Sequence, residues 1–164
     1  MIFVAVGTTL QGFDRLMKAV EEMRKSGQLK GEVIVQHGHS SVVPAGCRSV
    51  PFVGREEFDR LIRDASLVIT HAGAGAVGKC LLAGKKPVVV PRLKLYGEHV
   101  NDHQIELVRE LDTRGRIYAV YDLDRLAEVV RTALEQGGNQ PSSSGGSRVA
   151  RIIGDYLDGI AGLS

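Results

Sequence analysis

The sequence predicts an α/β fold built on a doubly wound parallel sheet. Three observations carry that expectation. Strand-like and helix-like stretches alternate along the chain, the signature of a parallel sheet flanked by helices. The strand-like runs Ile2–Val6, Leu67–Ile69 and Pro87–Val90 are almost wholly apolar, as strands covered on both faces are. The first and the middle of these runs end in small residues, Gly7-Thr8-Thr9 and Ala72–Gly75, just before helical periodicity begins.

Each element follows from a local pattern. Ile2–Val6 is the first strand. Phe13, Leu16, Met17, Val20 and Met23 recur at helical spacing, so Phe13–Lys25 is an amphipathic helix that Ser26-Gly27 stops. Glu32–Gln36 is a strand ending in the turn-prone His37-Gly38-His39-Ser40. After a loop with Pro44 and Gly46, Ser49–Val53 is a short strand and Arg55–Asp64 a short helix with Phe58, Leu61 and Ile62 on one face. The stretch 66–104 is the centre of the chain. It holds the buried strand Leu67–Ile69, the turn Ala72–Gly75, the helix Ala76–Ala83, the strand Pro87–Val90 and a polar loop. Asn101–Leu111 is helical, Gly115 breaks it, and Arg116–Val120 is the last strand. Asp122 or Asp124 caps a helix that runs through Glu135.

The chain divides into an α/β domain over 1–136, a linker over 137–147 and a tail over 148–164. The linker, GGNQPSSSGGS, is flexible by composition. The tail places Val149, Ile152, Ile153, Tyr156 and Ile160 on one stripe of an amphipathic helix, suited to pack on its own sheet or on a partner. At 164 residues the chain is long enough for one real core, and its hydrophobic and charged fractions, 43% and 24%, are those of a globular protein. A net charge of +2 and sparse aromatics argue against nucleic acid as a partner. Cys47 and Cys80 lack metal-ligand spacing and point to a reducing, cytoplasmic setting. The chain opens directly on a strand, and no apolar run reaches the ~20 residues that span a bilayer.

The ten residues HAGAGAVGKC from His71 admit three phosphate-binding readings. Gly73, Gly75 and Gly78 form a literal GxGxxG. A dinucleotide site would put it after the first strand and end the next strand in an acid, whereas here the next strand ends in Pro91-Arg92. Gly73 to Gly78-Lys79 also mimics a P-loop, but Cys80 stands where Ser or Thr would hold magnesium. The third reading takes a strand end, small residues and a helix N-terminus as a cradle for a diphosphate, with a polar loop delivered beside it by the next strand.

That third reading is supported by a wider pattern. Val6-Gly7-Thr8-Thr9, Phe13-Asp14-Arg15-Leu16, Val35-Gln36, Thr70–Gly75, Gly84–Arg92 and Gly97–Gln104 occur in family order. Over residues 1 to about 135 the chain resembles the donor-binding C-terminal half of GT-B glycosyltransferases of family 28. It is most similar in kind to the soluble subunit of two-subunit transferases. The resemblance implies a Rossmann-like fold and a uridine diphosphate sugar as donor substrate, with no further cofactor and no metal. It implies that Gly7, Thr8 and Thr9 form a phosphate-side loop, and that Gly73, Ala74 and Gly75 hold the diphosphate. His71 would bond or, if protonated, neutralise a phosphate. Phe52-Val53 would pack the uracil, while Asn101, Asp102, His103 and Gln104 would meet the sugar. Each has a plainer role too: a histidine satisfied by backbone, a core strand, and a helix cap from Asn101 or Asp102. Glu98 is a candidate for a hydroxyl contact, against the plainer expectation of an exposed loop carboxylate.

The catalytic base is unknown from this chain, because in the family it lies on an acceptor domain. A membrane-associated partner subunit would supply it together with a polyprenyl-linked saccharide acceptor, holding this cytoplasmic chain at the membrane surface. His99 and His103 lie four apart and His37 and His39 two apart, yet no carboxylate or cysteine completes a metal-ligand set.

Lys79 departs from the pattern. Relatives place an acidic residue there to grip the ribose hydroxyls, and an ammonium donates but never accepts. Lys79 is therefore expected to turn to the phosphates. The substitution keeps open a second function, a non-catalytic partner that stabilises or enhances a glycosyltransferase. An NAD-binding module is a third.

Overall fold

The computed structural model describes residues 1–137 together with Arg151 and Gly154. Apart from Gly137, Arg151 and Gly154, the expected linker and tail helix lie outside the described residues. Six strands form one parallel sheet: β1 (Ile2–Ala5), β2 (Val33–Gln36), β3 (Arg48–Val50), β4 (Leu67–His71), β5 (Val88–Val90) and β6 (Tyr118–Ala119). Their order is β3-β2-β1-β4-β5-β6, so the winding reverses between β1 and β4. In register, Val4 lies between Val35 of β2 and Ile69 of β4. This is the doubly wound α/β sheet the alternation of elements predicts.

Among the described residues up to Gly137, five α-helices cover the two faces: α1 (Asp14–Lys25), α2 (Arg55–Asp64), α3 (Ala74–Leu82), α4 (His103–Thr113) and α5 (Leu126–Glu135). Side-chain alternation along β1 assigns the faces. Ile2, Val4 and Val6 join Leu16, Met17 and Val20 of α1 and Leu126, Val130 and Ala133 of α5 in one core cluster. Phe3 and Ala5 turn the other way, to Leu61 and Ile62 of α2 and Cys80 of α3. A third cluster joins Val77 and Leu81 of α3 to Leu107, Val108 and Leu111 of α4. Both faces are covered, which is why β1, β4 and β5 are buried along their whole lengths.

The boundaries shift where local chemistry competes with periodicity. The strand Leu67–Ile69 extends through Thr70 and His71, because both continue the ladder with β5. The helix expected from Ala76 begins at Ala74, so Gly75 lies in its first turn and not in the preceding loop. Conversely, the helix expected from Asn101 begins at His103. Asp122 caps a short 3₁₀ turn, Leu123–Arg125, by accepting the N–H of Asp124, and α5 starts only at Leu126. Arg116–Val120 shrinks to the two paired residues of β6. Both cysteines are free, and burial pushes the Cys80 thiol up to about 12. Among the described residues no helix is long and apolar enough to cross a membrane.

Candidate functional site

Parallel strands deliver every following loop to one edge of the sheet, so the loops after β1, β2, β4 and β5 meet at the carboxyl edge. The switch point between β1 and β4 places Gly7 beside His71 there. His71 is buried. Its Nδ1 lies 3.4 Å from the Ala5 carbonyl and 3.4 Å from Thr70 Oγ1. Nε2 faces the glycines on either side. A Cβ on Gly7 would stand 2.6 Å from Nε2, and one on Gly73 would overlap the same nitrogen. Gly7 also has φ +81, a left-handed conformation that glycine alone adopts at little cost. These two glycines make room for the imidazole.

Burial, with the nearby Arg92 guanidinium second, pushes the His71 pKa down to about 4. The ring is therefore neutral at physiological pH, and the expectation that it neutralises a phosphate as a cation is corrected: taking on a proton costs too much in that setting. A neutral His71 can still hydrogen-bond.

Gly75 differs from both. It is exposed, and a Cβ there would meet nothing within 4 Å. The α3 N-terminus, with Gly73 as its extended N-cap, has no side-chain cap and no acidic residue in its first turn. Backbone N–H groups and the helix dipole are therefore presented to the space above Ala74 and Gly75, the arrangement that accepts an anion. Thr8 and Thr9 stand exposed across the switch point.

The loop after β5 is held by an arginine that sequence reasoning passed over except as a strand end. Arg92 is 1% exposed. Its guanidinium donates to the carbonyls of Val6, Gln11, Gly12 and Glu98 and stacks 4.9 Å from the centre of the Phe13 ring. Burial pushes it down to about 10, so it keeps its charge at neutral pH. Its backbone N–H is taken by Gln104 Oε1 at 2.9 Å. Gln104 is thus buried and its oxygen engaged, leaving its amide nitrogen for any ligand.

Glu98 corrects a second expectation. It is 4% exposed and gripped at both oxygens by Arg15, at 2.9 and 3.0 Å, while Oε2 also accepts the Leu93 N–H. The loop carboxylate is a structural pin, because burying it requires this full set of donors. The N-cap position of α4 is Asp102, whose Oδ1 turns back to the Lys94 N–H and leaves the helix without a side-chain cap, while Asn101 Oδ1, one residue earlier, accepts the N–H of His103. His103 lies 3.5 Å from Glu106. A cleft of about 440 Å³ opens between the β1 and β5 loops, lined by Leu10, Arg15, His39, Tyr96, Gly97 and Glu98 among others.

Phe52 lies past the end of β3, exposed and edge-on to His39, so it is not the core strand residue of the plainer expectation. Lys79 lies apart from the α3 N-terminus. It donates to Asp59 Oδ1 at 2.6 Å and sits 5.1 Å over the Phe58 ring, in a groove between α2 and α3. The expected turn toward the phosphates is replaced by an ion pair. Among the described residues no three His, Cys, Asp or Glu side chains come together as a metal site.

A doubly wound sheet with an uncapped helix N-terminus at its switch point places a potential anion site at the carboxyl edge of the sheet. The chain matches the glycosyltransferase family 28 C-terminal domain over residues 1–154 and belongs to that family. It is 35% identical over 126 residues to the human UDP-N-acetylglucosamine transferase subunit ALG13, covering 71% of this chain and 11% of that protein. The Yarrowia lipolytica subunit of the same name is 43% identical over 60 residues, 37% of this chain and 29% of that one. This chain thus spans about a tenth of the human relative's length. Among solved structures, the solution structure of ALG13 superposes with a TM-score of 0.62 at 16% identity, covering 93% of this chain and 94% of that one. Acinetobacter baumannii MurG gives 0.54 at 18% identity, over 94% of this chain and 49% of that one. Both likenesses are of fold, the parallel α/β sheet with helices on its two faces.

Proposed function

We propose that this chain is the donor-binding subunit of a glycosyltransferase, taking a uridine diphosphate sugar as its donor. The observation that carries the reading is membership of the family 28 C-terminal domain across residues 1–154, with an uncapped α3 N-terminus at the switch point. The names of the ALG13 relatives favour UDP-N-acetylglucosamine as that donor. The diphosphate lies on the α3 N-terminus, over Gly73, Ala74 and Gly75, with Gly7, Thr8 and Thr9 opposite. His71, neutral, contributes a hydrogen bond at most. Asn101, Asp102, His103 and the Gln104 amide border the sugar side. Glu98 acts by holding the β5 loop.

Inverting transfer needs a base for the acceptor hydroxyl. We place it on a membrane-associated partner subunit that also holds a polyprenyl-linked acceptor, with this chain on the cytoplasmic side. Titration calorimetry with uridine diphosphate and then UDP-N-acetylglucosamine is expected to show binding by the chain alone, and sugar transfer only once the partner is added. Absence of binding would overturn the donor reading, and transfer by the chain alone would overturn the division of labour. One observation favours a second reading, a non-catalytic enhancer: Lys79 stands where the resemblance implies an acid. That reading expects no nucleotide binding but a rise in the partner's activity.

A further inference from the structure

A groove of about 420 Å³ lies between the end of α1 and the length of α5. Met23 and Val130 are buried in it, Ala127 is half-buried, and Leu134 stands 38% exposed beside them. Lys30 and Glu128 are on its rim. In a parallel sheet the helix after a strand starts at the carboxyl edge and returns to the amino edge. Leu134 and Glu135, which end α5, therefore lie away from Gly7, His71 and Gly73. The groove shares no lining residue with the candidate donor site, and an occupant there leaves that site clear.

We infer that this groove is the docking site of the chain's own tail, residues 148–164, running antiparallel to α5. The chain leaves α5 at the groove itself: Glu135 lines it, and the link over 137–147 begins two residues later. A Gly/Ser-rich link of eleven residues spans roughly 17–20 Å, more than the roughly 8–10 Å between the axes of packed helices. The tail can therefore turn back beside α5. Its apolar stripe fits the length of the wall. Val149 to Ile160 rises about 16 Å as a helix, and the ten residues of α5 rise about 15 Å. Arg151, which falls off that stripe, is helical and exposed. Five large apolar residues on one stripe need a cover, and so does the wall at Leu134. The family match runs to residue 154, past the link and through Val149, Ile152 and Ile153, so the first part of the tail belongs to the same domain as the groove. A link this short also holds the tail at a local concentration on the order of millimolar, which favours its own groove over that of a second copy.

The test is paramagnetic relaxation in the full chain, with a nitroxide on Ala161→Cys in a Cys47→Ser background. Cys80 stays unlabelled, because its thiol is buried and pushed up to about 12. Docked antiparallel, position 161 reaches the start of α5, so the amides of Asp124 and Ala127 should broaden more than those of Leu134 and Glu135. A tail that is merely tethered gives the reverse order, strongest next to Gly137, and overturns the proposal. Broadening centred on α3 or α4 overturns it as well. Spin-labelled chain mixed with isotope-labelled chain that carries no nitroxide should show no broadening; broadening there makes a second copy the occupant and the proposal fails. Leu134→Asp puts a carboxylate on the apolar wall and should speed hydrogen exchange of the Ile152 and Ile153 amides about tenfold, the worth of one apolar contact. Unchanged exchange in that variant would show that the tail does not rest on this groove.

Discussion

Two charged regions flank the switch point, and they handle charge in opposite ways. On the β1–β5 side Arg92 and Glu98 are buried, and their charged groups are tied to carbonyls, to Arg15 or to a backbone N–H. On the α2–α3 side Lys79 and Asp59 meet in a groove that water reaches. A buried charge that loses its partner leaves a desolvated group behind, whereas an exposed pair falls back on water. The first region therefore fixes loop shape, and the second is free to exchange partners.

The largest expected effect breaks the buried side. Arg92→Met removes the shared donor of four carbonyls in two loops, and is expected to cost about 3–5 kcal/mol in urea unfolding. A loss below about 1 kcal/mol would put the two regions on the same footing.

His71 gives a smaller effect with a pH signature. Its folded pKa is about 4 against about 6.5 for a free histidine, so the unfolded chain binds the proton first. The stability contribution of this residue is complete above pH ~6.5 and is lost as pH falls from there toward 4, by roughly 3 kcal/mol in all. His71→Asn should flatten that part of the stability–pH curve, measured as a difference from wild type. An unchanged slope would show that acid acts elsewhere.

The smallest effect belongs to the groove. Lys79→Met should alter stability by less than about 1 kcal/mol, because an exposed ion pair is worth little. A cost as large as that at Arg92 would mean the pair supports the fold.

The sheet was legible because its strands are apolar runs and its helices keep their period through Leu16, Val20, Leu107 and Leu111. Boundaries were less so. Gly75 looks like a turn residue in one dimension, but tertiary packing of Val77 and Leu81 carries α3 back to Ala74. In the candidate site, the gathering of Gly7, His71, Gly73 and the β5 loop at one edge follows from strand order alone. Arg92 escaped notice because its partners Val6, Gln11 and Gly12 are about 80 residues away, and periodicity sees only neighbours. Its one local signal is a cation directly after a buried Val-Val-Val-Pro. The Lys79–Asp59 ion pair was hidden for the same reason: nothing in REEFDRLIRD singles out Asp59 until α3 lies alongside.

The imidazole wedged between two glycines has a consequence for descent. Position 73 has an ordinary backbone, φ −75, so it is barred to other residues only while a histidine occupies position 71. Position 7 stays barred in any case by its φ of +81. A lineage that drifted would thus have to lose the histidine first and the second glycine afterwards, and the reverse order would pass through a clash. Positions 71 and 73 are therefore coupled, with a built-in order of change, while position 7 is fixed independently by its backbone.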